Sequence, residues 1–417
     1  MSKRKVIVIG AGPAGLMAAG TAAETEAKVL LLEKMPHPGL KLRLTGNGRC
    51  NFTNTSPLSD FIAHFGPGGK FLRQAFSGFF SSDLMAFMKK LGIRAITESD
   101  GRVFPASGKA EDVADTLVNW AKRGGVTLST ETSVKRLIIE NGKVTGVKAA
   151  GFPHKERELL ADAIIIACGG ASYPNTGSTG DGYRLAESVG HTIIPVQPAL
   201  VPVETAGNIA RKLQGVSLKD VKVRVLVDGK KRAESKGEMI FTHSGLSGPV
   251  ILNLSRLMVD ALRQNRKVIV SIDLIPGLDE QETNDLLQKR IKESGKQKMK
   301  TILREFLPSK LIPVCLDSNE IPPDRVGHQV TTIERKRLCL WLKDLELEVT
   351  GFRPFSEAMV TAGGVNTKEV NPHTMESRLV KGLYFAGEVL DIDADTGGYN
   401  LQAAFSTGWI AGHAATL

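Results

Sequence analysis

No stretch of this sequence is apolar for long enough to span a bilayer, and its four cysteines (Cys50, Cys168, Cys315 and Cys339) form no CxxC pair or metal-ligand spacing. A disulfide framework and a zinc site are therefore not expected. The opening Met-Ser-Lys-Arg-Lys runs directly into an apolar segment too short for a secretory signal, so the expected location is the cytoplasm, with no membrane partner. Repeats and low-complexity tracts are missing too. Aromatic residues make up only 6% of the chain, and they do not interleave with its basic stretches as they would in a platform for stacking single-stranded bases. What remains is a 417-residue chain, long enough for roughly two or three domains with a large core.

The strongest local signal lies near the start. Val6, Ile7, Val8 and Ile9 read as a buried parallel strand, followed by Gly10, Ala11, Gly12, Pro13, Ala14 and Gly15. Gly10 suits a tight turn, Gly12 a close approach of backbone to a pyrophosphate, and Gly15 close packing of the next helix on the strand. Pro13 and Ala14 open that helix, whose first amides present the positive end of its dipole. Glu33 ends the second apolar run, 29–32, where a carboxylate accepts from an adenosine ribose, with Lys34 beside it as a further cofactor contact. Together these features specify a dinucleotide rather than a bare glycine-rich turn.

The far end of the chain selects the dinucleotide. Residues 382–388 form a short apolar strand closing on Gly387 and Glu388, placed to accept from a ribityl hydroxyl and to offer an amide to a phosphate. Gly397 and Gly398 then open a helix beginning at Tyr399 and Asn400, whose N-terminus would stabilise negative charge at the flavin N1–C2=O edge. The expected cofactor is FAD. Tyr399 and Asn400 either orient substrate or only satisfy the helix end. Gly169 and Gly170 follow a second buried strand, 163–167, and suit the adenine-side crossover of the FAD domain. No second strand–GxGxxG–helix unit exists for nicotinamide, so NADH or NADPH would bind transiently against the flavin.

The fold class expected is α/β: a Rossmann-like two-dinucleotide-binding FAD domain (1–194 and 353–417), interrupted by a small β-rich domain (195–275 and 330–352) with a helical insert (276–329). Alternating runs at 221–227 and 267–272 carry the β assignment. Of the net charge of +10, much sits in this middle region. Residues 208–236 hold nine Lys/Arg against three Asp/Glu, and residues 283–310 hold eight against three. A solvated surface and a ribosomal-RNA-binding face are both consistent with that excess.

Residues 41–54, Lys-Leu-Arg-Leu-Thr-Gly-Asn-Gly-Arg-Cys-Asn-Phe-Thr-Asn, resemble the hallmark loop of the BaiN/RdsA-type NAD(P)/FAD-dependent oxidoreductases. Segments 101–105, 167–182, 241–249 and 360–365 resemble the same family, so the likeness spans nearly the whole chain. Leu40, where a basic residue is common, and Ala394 with Asp395, before the Thr-Gly-Gly turn, depart from the pattern. The resemblance implies a FAD domain interrupted by a β-barrel-like domain that itself carries a helical insert, together with FAD, NAD(P)H use and hydride transfer through flavin N5. It implies substrates ranging from steroid-like enones and amino ketones to uridine in large-subunit ribosomal RNA, reduced to dihydrouridine. The basic middle region favours RNA; a small-molecule enzyme and a non-catalytic flavin-bearing binding protein are the alternatives. Lys41, Gly46, Asn47, Gly48 and Asn51 are expected cofactor contacts, and Arg49 is the expected electrostatic contact to a phosphate or flavin anion. Cys50 is either a packing residue behind the loop or a proton donor over the flavin. His243, in a turn before Gly245, is either a hydrogen-bonded loop residue or an acid or base.

Overall fold

The computed structural model describes residues 3–151 and 156–417. Positions 1–2 and 152–155, within the expected FAD domain, lie outside the described residues. The chain forms two compact units, one of Met1–Pro198 with Phe355–Leu417 and one of Ala199–Pro354.

The first unit is built on a five-stranded parallel sheet, in the order Leu383–Phe385, Ala163–Ile166, Lys5–Ile9, Lys28–Leu32, Thr127–Ser129. Ile7 lies opposite Ile164 on one side and Leu30 on the other. Strands covered on both faces are continuously apolar, and Val6, Ile7, Val8 and Ala163 through Ile166 are all buried. Helix Pro13–Glu24 follows the first strand, and the C-terminal helix Tyr399–Ala414 packs along it. Small residues permit that approach: a Cβ on Gly408 would sit 2.4 Å from the Ala14 carbonyl oxygen, and one on Gly412 2.5 Å from that of Ala18. Gln402, fully buried on the same helix, accepts from the Thr53 hydroxyl (2.6 Å) and donates to Ser406 (3.0 Å).

His191 of this unit is 3% exposed, with Nδ1 3.1 Å from Glu369 and Nε2 2.7 Å from the Ser377 hydroxyl. Burial holds its pKa below the usual value, although Glu369 pulls the other way. A histidine with a depressed folded pKa stabilises the fold fully above its unfolded value, and that contribution is lost as pH falls below about 6.5. The melting temperature should therefore drop between pH 7.5 and pH 5.5, and His191→Asn should flatten that part of the profile. An unchanged slope in the variant would sink this assignment.

The second unit is a closed six-stranded barrel, in the order Val203–Thr205, Gly245–Ser247, Lys230–Phe241, Ser217–Val227, Val268–Asp273, Leu345–Phe352. Val221, Val223, Val225 and Val227 point inward, while Lys222 and Arg224 alternate with them outside. The helical segment has no core of its own, since Leu287, Met299, Ile302 and Leu303 belong to the barrel's hydrophobic cluster.

Two elements differ from expectation. Pro249–Arg263 is a helix within the stretch read as β-rich. The return to β structure expected at 330 comes only at Leu345, because Thr332–Lys343 is a helix opened by a capping box. The Thr331 hydroxyl accepts from the Glu334 amide (3.2 Å), and Glu334 accepts from the Thr331 amide (2.8 Å). Near its end, Lys343 is buried against Asp273 (2.7 Å) and donates to the carbonyl of Ile275 (2.9 Å) and to that of Leu278. Among the described residues, no helix is long and apolar enough to cross a membrane.

Candidate functional site

The glycine turn divides its roles sharply. Gly10 has φ +100°, and a Cβ there would lie 2.5 Å from the Ala167 carbonyl oxygen. A Cβ on Gly15 would lie 1.8 Å from the Gly10 oxygen, so only glycine lets the helix pack on the turn. A Cβ on Gly12 would meet nothing within 4 Å. Of these three glycines only Gly12 has open space beside it, and it directly precedes the helix that begins at Pro13. That helix has no acidic residue in its first turn and no side-chain cap. Its amides and dipole suit a diphosphate. Glu33, 9% exposed, accepts from the Ala11 amide (2.7 Å) and the Met35 amide (2.9 Å). Burial raises its pKa, against those two amides. Each carboxylate oxygen retains a lone pair, as a ribose hydroxyl requires. An open cradle, free helix amides and a held carboxylate fit the adenosine diphosphate half of FAD. Lys34 is committed within the protein, to Thr179 and Asp181.

At the other end of the site, Gly387 has φ +77° and donates its amide to Thr407 (2.9 Å); a Cβ there would approach that of Ala14 to 2.8 Å. Glu388 is the hub of a polar network. It takes Lys41 (2.7 Å) on one oxygen, and the Thr361 amide (2.8 Å) and Ser172 hydroxyl (3.2 Å) on the other. Gly169 has φ +70°, and a Cβ on Gly170 would lie 2.5 Å from the Thr361 hydroxyl and 3.1 Å from Glu388. Gly397 (φ +136°) and Gly398 (φ +97°) form the turn into the last helix, and a Cβ on Gly398 would strike the Thr53 carbonyl at 2.4 Å. Asn400 clamps the preceding loop, accepting from the Ala394 amide (2.9 Å) and donating to the Ala394 carbonyl (2.9 Å). The Tyr399 ring stacks on His64 at 4.0 Å and meets Phe61 edge-on at 4.7 Å.

The hallmark loop is a run of left-handed backbone at Gly46 (φ +58°), Asn47 (+54°), Gly48 (+81°) and Cys50 (+59°). Arg49 lies over the Phe104 ring at 4.0 Å and pairs with Glu98 at 2.6 Å. The Asn51 side chain accepts from the Val103 amide (3.2 Å). Cys50 has no exposed surface, and burial pushes its thiol up to about 12, against a hydrogen bond with Thr45. His243 belongs to the second unit, exposed between strands Lys230–Phe241 and Gly245–Ser247. One pair in the first unit escaped the sequence reading: His64 Nδ1 lies 2.8 Å from Asp395, beside the Gly397–Gly398 turn. Those partners are 331 positions apart and leave no local signature.

A Rossmann-type parallel sheet with its glycine turn, a held acid after its second strand and a C-terminal helix opened by paired glycines are the features of an FAD-dependent oxidoreductase. The family profile described as HI0933-like protein Rossmann domain matches residues 4–414, and the chain belongs to that family, as the hallmark loop led us to expect. It is 34% identical over 415 residues to the 3-dehydro-bile acid delta(4,6)-reductase of Clostridium scindens, covering 99% of this chain and 98% of that protein. It is 30% identical over 409 residues to the ribosomal RNA dihydrouridine synthase of Escherichia coli, covering 98% and 97%. The solved 3-ketosteroid-delta4-(5alpha)-dehydrogenase of Rhodococcus jostii shares the fold, with a TM-score of 0.55 at 16% identity, covering 100% of this chain and 97% of that one.

Proposed function

We propose that this chain is an FAD-dependent reductase of conjugated C=C bonds, drawing electrons from NADH or NADPH, with uridine of large-subunit ribosomal RNA as its substrate. The carrying observation is charge asymmetry. The barrel unit, 199–354, holds 27 Lys/Arg against 20 Asp/Glu, a net of +7 out of +10 for the whole chain. A small neutral substrate calls for no such field, whereas an RNA backbone does. The identity with a ribosomal RNA dihydrouridine synthase supports the same reading.

Gly12 and the amides after Pro13 would hold the pyrophosphate, Glu33 the ribose, Glu388 with Lys41 the ribityl side, and the Gly398 turn the pyrimidine edge. When bound, FAD would supply hydride chemistry through N5, and the carbon that such a substrate offers is the one β to a carbonyl, C6 in uracil. C5 must then take a proton. The sequence candidates are Cys50 and His243; an enclosed thiol must first be uncovered, which favours a histidine. His64 joins them, since Asp395 holds its Nδ1 while its Nε2 makes no hydrogen bond among the described residues.

The test is mass-spectrometric quantitation of dihydrouridine in large-subunit ribosomal RNA, with and without the gene. Loss of a site, restored by the wild type but not by a variant unable to bind FAD, is the expected result. An unchanged level overturns it. The 34% identity to a bile acid reductase favours one second reading, reduction of a steroid-like enone. That reading expects turnover of a 3-oxo-4,6-diene steroid at a rate insensitive to salt.

A further inference from the structure

Two stretches of the barrel unit are rich in lysine and arginine, and the ion pairs separate them. In the hairpin of strands Ser217–Val227 and Lys230–Phe241 most cations are spoken for. Lys222, Arg224 and Lys231 share Glu234; Arg224 also lies within 3.8 Å of Asp273 and 3.6 Å of Asp344; Lys236 pairs with Asp220 at 3.1 Å. Only Lys219, Lys230 and Arg232 there make no ion pair among the described residues.

The helical layer is different. Residues 283–310 contain eight Lys/Arg and three Asp/Glu. Arg290 alone engages two of those acids, Glu293 (3.2 Å) and Glu305 (3.0 Å). The third, Asp285, accepts from the Gln281 amide group (3.0 Å). Lys298 takes Asp324 from outside the segment. Lys289, Lys292, Lys296, Lys300 and Arg304 are left exposed, with no ion pair among the described residues. Lys310 is also exposed, bonded to the Gln214 carbonyl (3.1 Å). The apolar residues of this layer, Leu287, Met299, Ile302 and Leu303, are buried in one hydrophobic cluster with the barrel, whereas those six cations stand at exposed positions.

We infer that the outer side of this helical layer, centred on Lys292, Lys296 and Lys300, is the surface that grips the RNA backbone. The inference rests on the RNA reading above. A cation with no internal partner exchanges only its counterions for a phosphate, whereas a paired one must also give up its carboxylate. Six cations without carboxylates along one segment match a polymer of phosphates better than any single small anion. The half-buried Phe306 is the only aromatic residue of the segment, so the grip is electrostatic and suits folded RNA held by its backbone.

The test uses the full-length holoprotein and deproteinised large-subunit ribosomal RNA, with affinity measured as a function of salt. One variant carries Lys292→Gln, Lys296→Gln and Lys300→Gln; a charge-matched control carries Lys222→Gln, Lys231→Gln and Lys236→Gln. All these side chains reach solvent, and bound flavin with an unchanged melting curve verifies each fold. The helical-layer variant should lose about 2 to 3 from the slope of log affinity against log salt, at roughly one per phosphate contact removed. The hairpin control should lose less than about one. Equal losses, or a larger loss in the control, overturn the assignment of the surface while leaving an RNA substrate standing. Failure of the wild type to bind RNA, or preferential binding to phosphatidylserine vesicles, overturns the assignment too; the dihydrouridine measurement then separately decides the substrate.

Discussion

Gly12→Val should yield a folded protein that purifies without its flavin. A Cβ at this position meets no protein atom within 4 Å, so the substitution costs the fold little. The space it enters is the one the proposed pyrophosphate would occupy, directly before the helix that begins at Pro13. FAD affinity should fall by on the order of 100-fold or more, about 3 kcal/mol at 1.4 kcal/mol per decade. Circular dichroism and the melting curve of the ligand-free protein should match wild type. Gly15→Ala is the informative contrast, because its methyl would sit 1.8 Å from the Gly10 oxygen and must displace the helix itself. That variant should lose both flavin and stability. Flavin retention by Gly12→Val, measured as flavin absorbance per mole of protein, would refute the placement of the pyrophosphate.

Lys343→Ala should be the most damaging single change in the barrel unit. It removes the ammonium from Asp273, which is 3% exposed, and strips the carbonyls of Ile275 and Leu278 of their donor. Arg224, 3.8 Å from Asp273, is a poor substitute. Breaking a buried pair from one side costs about 3–5 kcal/mol, because a desolvated charge is left behind. Replacing both partners, Lys343→Met with Asp273→Leu, should recover much of that loss. Denaturant midpoints of the two variants measure both effects; a double variant no more stable than the single one would show that the carbonyl bonds, not the charge pair, carry the stability.

The parts of the site that were legible are those whose requirements are local. Gly10 and Gly15 answer contacts with the turn itself and with Ala167 after the neighbouring strand, Gly12 leaves open space before the helix, and the acid ending the second strand follows from the same unit. Glu388 was legible as an acid after a short strand, but its partner Lys41 lies 347 positions away, and no spacing reports that. A cation in a glycine loop points to a phosphate or a flavin anion as the partner of Arg49; its pairing with Glu98 and Phe104 involves residues of a separate sheet and its flank. The helix Thr332–Lys343 was hidden although its capping residues are plain. Ile333 and Leu340 are 72% and 50% exposed, so the apolar pattern does not mark the buried face. Alternation revealed the barrel strands but not their closure, which depends on Val203–Thr205 pairing with Leu345–Phe352 across the whole unit.

The crossing of Gly408 and Gly412 over Ala14 and Ala18 bears on how the protein is made. The helix Pro13–Glu24 leaves the ribosome before the barrel unit, and the helix that covers it is translated only after the whole of that unit. Through most of synthesis the small-residue face of Pro13–Glu24 therefore waits uncovered, and the parallel sheet lacks its edge strand Leu383–Phe385. Cofactor capture should accordingly be a late event in the life of this chain. Ribosomes stalled anywhere within the barrel unit should carry a nascent protein that cannot retain FAD.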